Sequence, residues 1–269
     1  MDFSGKVVVV TGGANGIGKE TAREFARRHA AVAIVDRDLK AGAATAQEIA
    51  AAGGNVHFFA CDVGVRTEVE KLIPAIVAKF GGIDILVNNA GIQRYGSVLT
   101  TPEELWDEVM AANLKSAYLM SRYAVPEIRK RGGGAIVITG SVQSHGAIVN
   151  SLAYVVSKHA LLGLARAMAL DHAKHNIRVN IVCPGSTDTP LVRNVAAASD
   201  NPQHILDALA GMHAIKRLIR PEEVAHVIVF LASDLASSVT GEAVMVDGGM
   251  MIACGGMAFQ DSGTGPGKD

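Results

Sequence analysis

Residues 6–18 read K-V-V-V-V-T-G-G-A-N-G-I-G, and this stretch decides the fold. Its first part is a run of β-branched residues, which predicts a strand buried on both faces. The glycines follow at once, and a helical stretch continues to about Arg28. In such a strand, turn and helix, the backbone turns tightly and the helix N-terminus stabilises a phosphate. The spacing is G-x-x-x-G-x-G rather than the commoner dinucleotide fingerprint, so the interpretation depends on the position of the glycines after an opening strand.

Strands and helices alternate along the rest of the chain. Six further strands are predicted, at residues 31–36, 56–61, 83–87, 135–139, 177–183 and 242–247. This alternation predicts an α/β protein, a Rossmann-type doubly wound parallel sheet of about seven strands with helices on both faces. Residues 1–249 are expected to form this single domain, with a mobile lid of one or two short helices at about 187–219. Residues 250–269 are expected to be a C-terminal extension with a disordered end.

An acidic residue ends the second predicted strand. Asp36 lies about 20 residues after the glycines, where a carboxylate accepts hydrogen bonds from ribose hydroxyls and repels a 2′-phosphate. The sequence therefore favours NAD over NADP, although Arg37 beside it offers a partner for a phosphate. Asp62 ends the third strand, where its carboxylate could reach an adenine amino group, and Val63 follows it.

A second group of residues suits proton transfer at a carbinol oxygen. Tyr154 and Lys158 are four apart in a predicted helix, so their side chains lie one turn apart on one face. A nearby cation lowers the pKa of an acid, so Lys158 is expected to make Tyr154 a usable general acid/base. Ser141 follows a predicted strand and could hold a substrate oxygen against the phenol. Asn113 lies inside a long helix predicted at 102–131, where asparagine is a poor helix former. It is either exposed there, or its amide binds something that the active site needs.

The composition excludes several classes of function. A formal net charge of −1 gives no long-range attraction to nucleic acid or anionic membranes. Aromatic residues make up only 4%, which leaves few stacking platforms for single-stranded nucleic acid. The cysteines Cys61, Cys183 and Cys254 are scattered without metal spacing, so we expect a reduced, cytoplasmic compartment and no metal site. The N-terminus has no apolar leader, and no apolar run reaches membrane-spanning length.

Taken together, the motifs resemble the short-chain dehydrogenase/reductase family over nearly the whole chain. The matching pieces are T-G-G-A-N-G-I-G at 11–18, D-V at 62–63, N-N-A-G at 88–91, Asn113, Ser141, Y-V-V-S-K at 154–158, P-G at 184–185 and V-D-G-G at 246–249. The resemblance implies that Tyr154 is the catalytic acid/base and that Lys158 lowers its pKa and holds the nicotinamide ribose. It implies that Ser141 orients the substrate oxygen and that Asn113 holds a water linking Lys158 to solvent.

The resemblance also implies a cofactor site and a homotetramer. The residues expected to line the cofactor, beside Tyr154 and Lys158, are Gly12, Asn15, Gly16, Ile17, Gly18, Asp36, Arg37, Asp62, Val63, Asn89, Ala90, Gly91, Pro184, Gly185 and Thr187.

Polar residues are common in the loops that follow the strands, where ligands bind in this architecture. The candidate substrate contacts are Gln93, Arg94, Gln143, His145, Asn150 and Arg193. They favour a polyhydroxylated or anionic small molecule, such as a sugar, sugar acid, polyol or small hydroxy acid. Arg94 or Arg193 could pair with a carboxylate, and His145 is the favoured contact because it is close in sequence to Ser141.

The predicted function is NAD-dependent hydride transfer between a secondary alcohol or ketone and nicotinamide. One alternative is an NADPH-dependent reductase of 3-oxoacyl thioesters or other carbonyls, against which Asp36 argues. Another is a dinucleotide-sensing scaffold without turnover. The intact set of Asn113, Ser141, Tyr154 and Lys158 argues against the scaffold.

Overall fold

Seven parallel strands form one sheet in the computed structural model, which describes residues 1–252. The strands are β1 (Val7–Thr11), β2 (Ala31–Asp36), β3 (Asn55–Ala60), β4 (Ile85–Asn88), β5 (Gly134–Thr139), β6 (Ile177–Pro184) and β7 (Ala243–Val246). The Rossmann-type, single-domain fold class is thereby confirmed. The expected disorder at the end of the C-terminal extension lies outside the described residues.

Helices cover both faces of this sheet. They are α1 (Gly16–Arg27), α2 (Leu39–Ala51), α3 (Arg66–Phe80), α4 (Glu103–Met110), α5 (Ser116–Lys130), α6 (Leu152–His172), α7 (Pro190–Ala197), α8 (Pro202–Gly211) and α9 (Pro221–Ala232). Side chains alternate between the faces along each strand, so Val8 and Val10 pack against α1 and α9 while Val9 packs against α3, α5 and α6. Each such buried valine contributes about 1.5–3 kcal/mol, and together they fix the strand ends that carry the site.

The strand order is β3-β2-β1-β4-β5-β6-β7, so the direction of winding changes between β1 and β4. In open α/β sheets a ligand crevice forms at this change, outside the carboxyl ends of the strands. Asn89 ties the strand ends together there. Its Nδ2 donates to the carbonyls of Thr11 (3.1 Å) and Gly12 (3.2 Å), and its Oδ1 accepts from the Thr139 hydroxyl (3.2 Å). These contacts hold the ends of β1, β4 and β5 in fixed relation.

The helix predicted at 102–131 is not one regular α-helix. A π-helical turn, Ala111–Lys115, joins α4 to α5. Such turns are rare and occur frequently at functional sites. Asn113 lies in this turn and is only 1% exposed, so of the two alternatives left open by the sequence the exposed one is wrong.

Two short helices, α7 and α8, lie within residues 187–219, as expected for the predicted lid. Each begins with a proline in its first turn, and the Asn201 side chain caps α8 by accepting from the His204 backbone N–H (3.1 Å). The mobility of this lid stays a prediction.

Candidate active site

A cleft of about 520 Å³ lies at the carboxyl ends of the strands, a volume within the range of small-molecule sites. Fourteen of the fifteen expected cofactor residues beyond Tyr154 and Lys158 line it. They are Gly12, Asn15, Gly16, Ile17, Asp36, Arg37, Asp62, Val63, Asn89, Ala90, Gly91, Pro184, Gly185 and Thr187. The cleft therefore joins the glycine-rich loop at one end to the Tyr154–Lys158 pair at the other.

Gly18 is the exception, because it packs the first helix against the strand. A Cβ added at Gly18 would lie 2.1 Å from the Gly12 carbonyl oxygen and 2.6 Å from Asn89 Nδ2. No side chain fits in that space, so α1 approaches β1 closely enough for its N-terminus to face the cleft.

Asp36 is fixed at the far end of the cleft by backbone donors. Its Oδ2 accepts from the Ala14 N–H (3.1 Å) and its Oδ1 from the Asp38 N–H (3.0 Å). Each carboxylate oxygen keeps a free lone pair for a further hydrogen bond. The Arg37 guanidinium is mostly exposed and lies 3.7 Å from the Asp62 carboxylate. The charge that would attract a 2′-phosphate is thus partly neutralised.

Lys158 is buried beside Tyr154 on α6. Its Nζ donates to the Thr139 carbonyl (2.8 Å) and lies 5.5 Å from the centre of the Tyr154 ring. The ammonium therefore faces the ring rather than bonding the phenol oxygen. The predicted one-turn spacing places both side chains in the cleft.

The pKa values of this pair are shifted mainly by burial. Burial raises the pKa of the Tyr154 phenol to about 12, and the nearby Ser141 hydroxyl opposes part of the rise. Burial lowers the pKa of Lys158 to about 8. The shift of the Tyr154 pKa is opposite to the expected lowering by Lys158, because desolvation of the phenolate is its largest cause.

Ser141 presents its hydroxyl to the same end of the cleft. Its Oγ accepts from the Gln143 N–H (3.1 Å) at the start of a short 3₁₀ turn, which leaves the hydroxyl hydrogen to donate to another oxygen. Ser141 and Tyr154 both line the cleft, so one substrate oxygen can meet both hydroxyls.

Asn113 connects the loop after β4 to α6. Its Oδ1 accepts from the Ile92 N–H (2.7 Å), and its Nδ2 donates to the Ile92 carbonyl (3.0 Å) and to Ser157 Oγ (3.0 Å). Ser157 is the residue before Lys158, so the amide holds both walls of the cleft. Sequence reasoning missed Ser157 and Thr139 as the partners of Asn113 and Lys158. The predicted water relay stays a prediction.

The two arginines expected to bind a carboxylate are already paired, and neither lines the cleft. Arg94 donates to both carboxylate oxygens of Glu108 (3.2 and 2.8 Å). Arg193 donates to both carboxylate oxygens of Asp188 (2.6 and 2.7 Å) and points to solvent. Contrary to the expectation, neither guanidinium is free to pair with a substrate carboxylate in this structure.

Of the other four substrate candidates, two line the cleft and two do not. Gln93 and Gln143 line it, whereas His145 and Asn150 are exposed outside it. His145 is close to Ser141 in sequence, but the 3₁₀ turn that begins after Ser141 carries it away. The Oε1 atom of Gln143 is buried and has no hydrogen-bond partner among the described residues.

The wall around the substrate end is mostly apolar, which the sequence analysis missed. Its apolar residues are Ile148, Leu191, Val192, Val195, Ile205, Leu209, Met212 and Met250. The sequence contains a signal for this wall: Leu191 and Val195 are four residues apart, as are Ile205 and Leu209. Apolar residues four apart share one helix face, so each pair indicates an apolar face on a short helix. The polar lining expected from the loops is replaced by an apolar wall with two glutamines.

Within residues 1–252, no helix is long and apolar enough to span a membrane. The same part of the chain contains no group of three or more His, Cys, Asp or Glu side chains arranged to hold a metal ion.

The cleft fits a nicotinamide dinucleotide, because its glycine-rich turn at a helix N-terminus suits a pyrophosphate and Asp36 suits a ribose. With Tyr154 and the buried Lys158 beside it, these features define a Rossmann-type dinucleotide-dependent oxidoreductase. The comparisons agree: residues 12–251 match a family profile described as "Enoyl-(Acyl carrier protein) reductase". The chain belongs to the short-chain dehydrogenase/reductase family.

Three relatives span nearly its full length. An "uncharacterized oxidoreductase" of Thermotoga maritima is 43% identical, covering 93% of this chain and 98% of its own. A 2,5-dichloro-2,5-cyclohexadiene-1,4-diol dehydrogenase of Sphingobium indicum is 38% identical over 92% and 98% of the two chains. The ligand-free aldohexose dehydrogenase of Thermoplasma acidophilum superposes with a TM-score of 0.86 at 35% identity, covering 94% and 96%. The chain is accordingly an oxidoreductase of this family.

Proposed function

We propose that the protein is an NAD-dependent dehydrogenase of cyclic secondary alcohols that carry a further hydroxyl group. The observation that carries this proposal is the apolar wall from α7 and α8 in the cleft that Ser141 and Tyr154 also line, together with the buried Gln143 Oε1, which has no hydrogen-bond partner among residues 1–252. An apolar wall favours a ring edge, and a buried acceptor without a partner favours a hydroxyl donor. The name of the Sphingobium relative, which is that of a cyclohexadienediol dehydrogenase, supports this substrate class.

The residues of the cleft then have distinct tasks. The Ser141 hydroxyl donates to the substrate oxygen, and Tyr154 takes the proton from the alcohol during oxidation or gives it to the oxygen during carbonyl reduction. Two buried side chains keep α6 and the opposite wall of the cleft in a fixed arrangement. Lys158 bonds to Thr139, and Asn113 bonds to Ile92 and Ser157. When bound, the nicotinamide ring supplies the hydride chemistry.

We propose Asp36 as the residue that selects NAD. Replacing it with alanine is expected to lower kcat/KM with NAD⁺ by about 10- to 100-fold, because a charge-assisted hydrogen bond to the ribose is lost. The matched control is Asp36→Asn, which keeps an acceptor for the Ala14 N–H and removes only the charge. Both variants should use NADP⁺ better relative to NAD⁺ in steady-state assays. An unchanged NAD⁺/NADP⁺ ratio in both variants would contradict the assignment and favour the NADPH-dependent alternative through Arg37.

The substrate class is tested with cyclohexanediols, cyclohexanol, a hexose and a hexonate. The wild-type protein is expected to prefer a diol over cyclohexanol by about tenfold in kcat/KM, and Gln143→Leu should remove that preference by lowering only the diol value. Gln93→Leu is the matched control at the other glutamine of the cleft. A best rate with the hexonate, or an unchanged diol preference in Gln143→Leu, would overturn the proposed substrate. The expectations of a homotetramer and a cytoplasmic location stay predictions.

A further inference from the structure

One histidine is buried in an otherwise exposed segment that connects the lid to the sheet. In residues 211–217 His213 is the single buried residue, with no exposed area, whereas its apolar neighbours Met212 and Ile215 are 45% and 46% exposed. Apolar side chains are ordinarily buried before a histidine is. Beside the hydrogen bond from the Ile215 N–H to the Gly248 carbonyl (3.2 Å), the segment is thus attached to the protein body by a side chain that can hydrogen-bond.

The ring of His213 bonds the loop that follows β6. Its Nε2 accepts from the Ser186 backbone N–H (3.1 Å), and a Cβ added at Gly185 would lie only 2.6 Å from this nitrogen. Glycine is therefore required at 185 for the ring to lie against the backbone. Because Nε2 acts as an acceptor, the neutral ring must carry its hydrogen on Nδ1. Nδ1 is buried and has no partner among the described residues.

The bonded loop lines the cofactor end of the cleft. Gly185, Ser186 and Thr187 all line it. Two other contacts also hold the loop: the Gly185 N–H donates to the Val246 carbonyl (3.1 Å), and the Ser186 carbonyl accepts from the Ile219 N–H (3.0 Å). The Ser186 N–H is left for His213. A break of this bond would leave a buried donor unpaired, and the loop would have to rearrange.

We propose that His213 is a positioning residue for cofactor binding: it holds residues 185–187 and the end of the lid in one arrangement through its unprotonated Nε2. The inference rests on the proposed binding of a nicotinamide dinucleotide. His213 does not itself line the cleft; it contacts Gly185 and Ser186, which do. Its effect passes through the Ser186 backbone.

The test compares two side chains of equal length that differ in hydrogen bonding. His213→Gln keeps an acceptor for the Ser186 N–H, and His213→Met does not. His204→Leu is the control, since His204 is an exposed histidine on α8. The first measurement is hydrogen exchange at the Ser186 amide in protein without added cofactor, and the second is the Kd for NAD⁺ by titration calorimetry.

His213→Met is expected to speed exchange at Ser186 and raise the Kd for NAD⁺, each by about tenfold, because a buried donor loses its partner. His213→Gln should restore both to within about threefold of the wild-type values. Equal behaviour of the glutamine and methionine variants, or wild-type exchange in both, would overturn the inference. If His213→Met does not fold, His213→Leu is compared with His213→Gln in the same way. Because exchange is measured without cofactor, a failure of the proposed NAD preference is distinguishable from a failure of this inference.

Discussion

Replacement of Tyr154 by phenylalanine is expected to lower kcat by about a thousandfold while leaving the Kd for NAD⁺ within about threefold of the wild-type value. The substitution removes only the phenol oxygen, which is the group proposed to move the proton. The ring, which packs beside Lys158, is retained. Isothermal titration and steady-state kinetics on the same preparation separate the two effects.

Tyr95→Phe is the matched control for this prediction. Tyr95 lines the same cleft and is 50% exposed, and its loss of a hydroxyl should change kcat by less than about threefold. Equal losses in both phenylalanine variants would contradict the role of Tyr154.

Because the pKa of Tyr154 is raised to about 12, the proton-donating form dominates near neutral pH and the phenolate is scarce. Alcohol oxidation by the wild-type protein should therefore accelerate as the pH rises from 7 to 9, whereas carbonyl reduction should not.

The sequence was sufficient for the fold because the relevant signals are local. The β-branched run at 6–11, the glycines that follow it and Asp36 each depend on neighbours within one strand–helix unit. The same holds for Tyr154 and Lys158, because helix periodicity alone places them one turn apart. These signals also led to the family.

The substrate end could not be predicted in this way, because the pairing and packing of side chains in the folded chain decide which of them reach the cleft. Arg94 looks free in the sequence, but Glu108, fourteen residues later, pairs with it. Arg193 is similarly paired by Asp188. Because neither arginine lines the cleft, its wall at this end is formed by the apolar faces of α7 and α8.

The pKa of Lys158 illustrates a further limit of sequence reasoning. The i, i+4 spacing correctly places a cation beside a phenol, but the spacing carries no information about desolvation. Burial lowers the pKa of Lys158 to about 8 from an ordinary value of 10.5, so the folded protein holds this ammonium at a cost. Such a cost at a functional residue is expected where activity and stability conflict.

Lys158→Met is therefore expected to stabilise the protein while lowering kcat by about a hundredfold. The lowering of the Lys158 pKa corresponds to about 3 kcal/mol of destabilisation, which the substitution removes. Loss of the hydrogen bond to the Thr139 carbonyl costs about 1 kcal/mol. The free energy of unfolding at pH 7 should therefore rise by about 2 kcal/mol. Denaturant unfolding measures it.

The pH dependence of this gain follows from the direction of the shift. Between the folded-state pKa of about 8 and the ordinary value of 10.5, the unfolded chain keeps a proton that the folded chain has released. The unfolded state then binds more protons, so Lys158 makes the wild-type protein more stable as the pH rises through this window. The advantage of Lys158→Met should accordingly be present at pH 7 and be lost by about pH 10.

Lys40→Met, at an exposed lysine of α2, should change stability by less than about 0.5 kcal/mol at either pH. A Lys158→Met variant that is less stable than the wild-type protein at pH 7 would show that the contacts of the ammonium outweigh its desolvation.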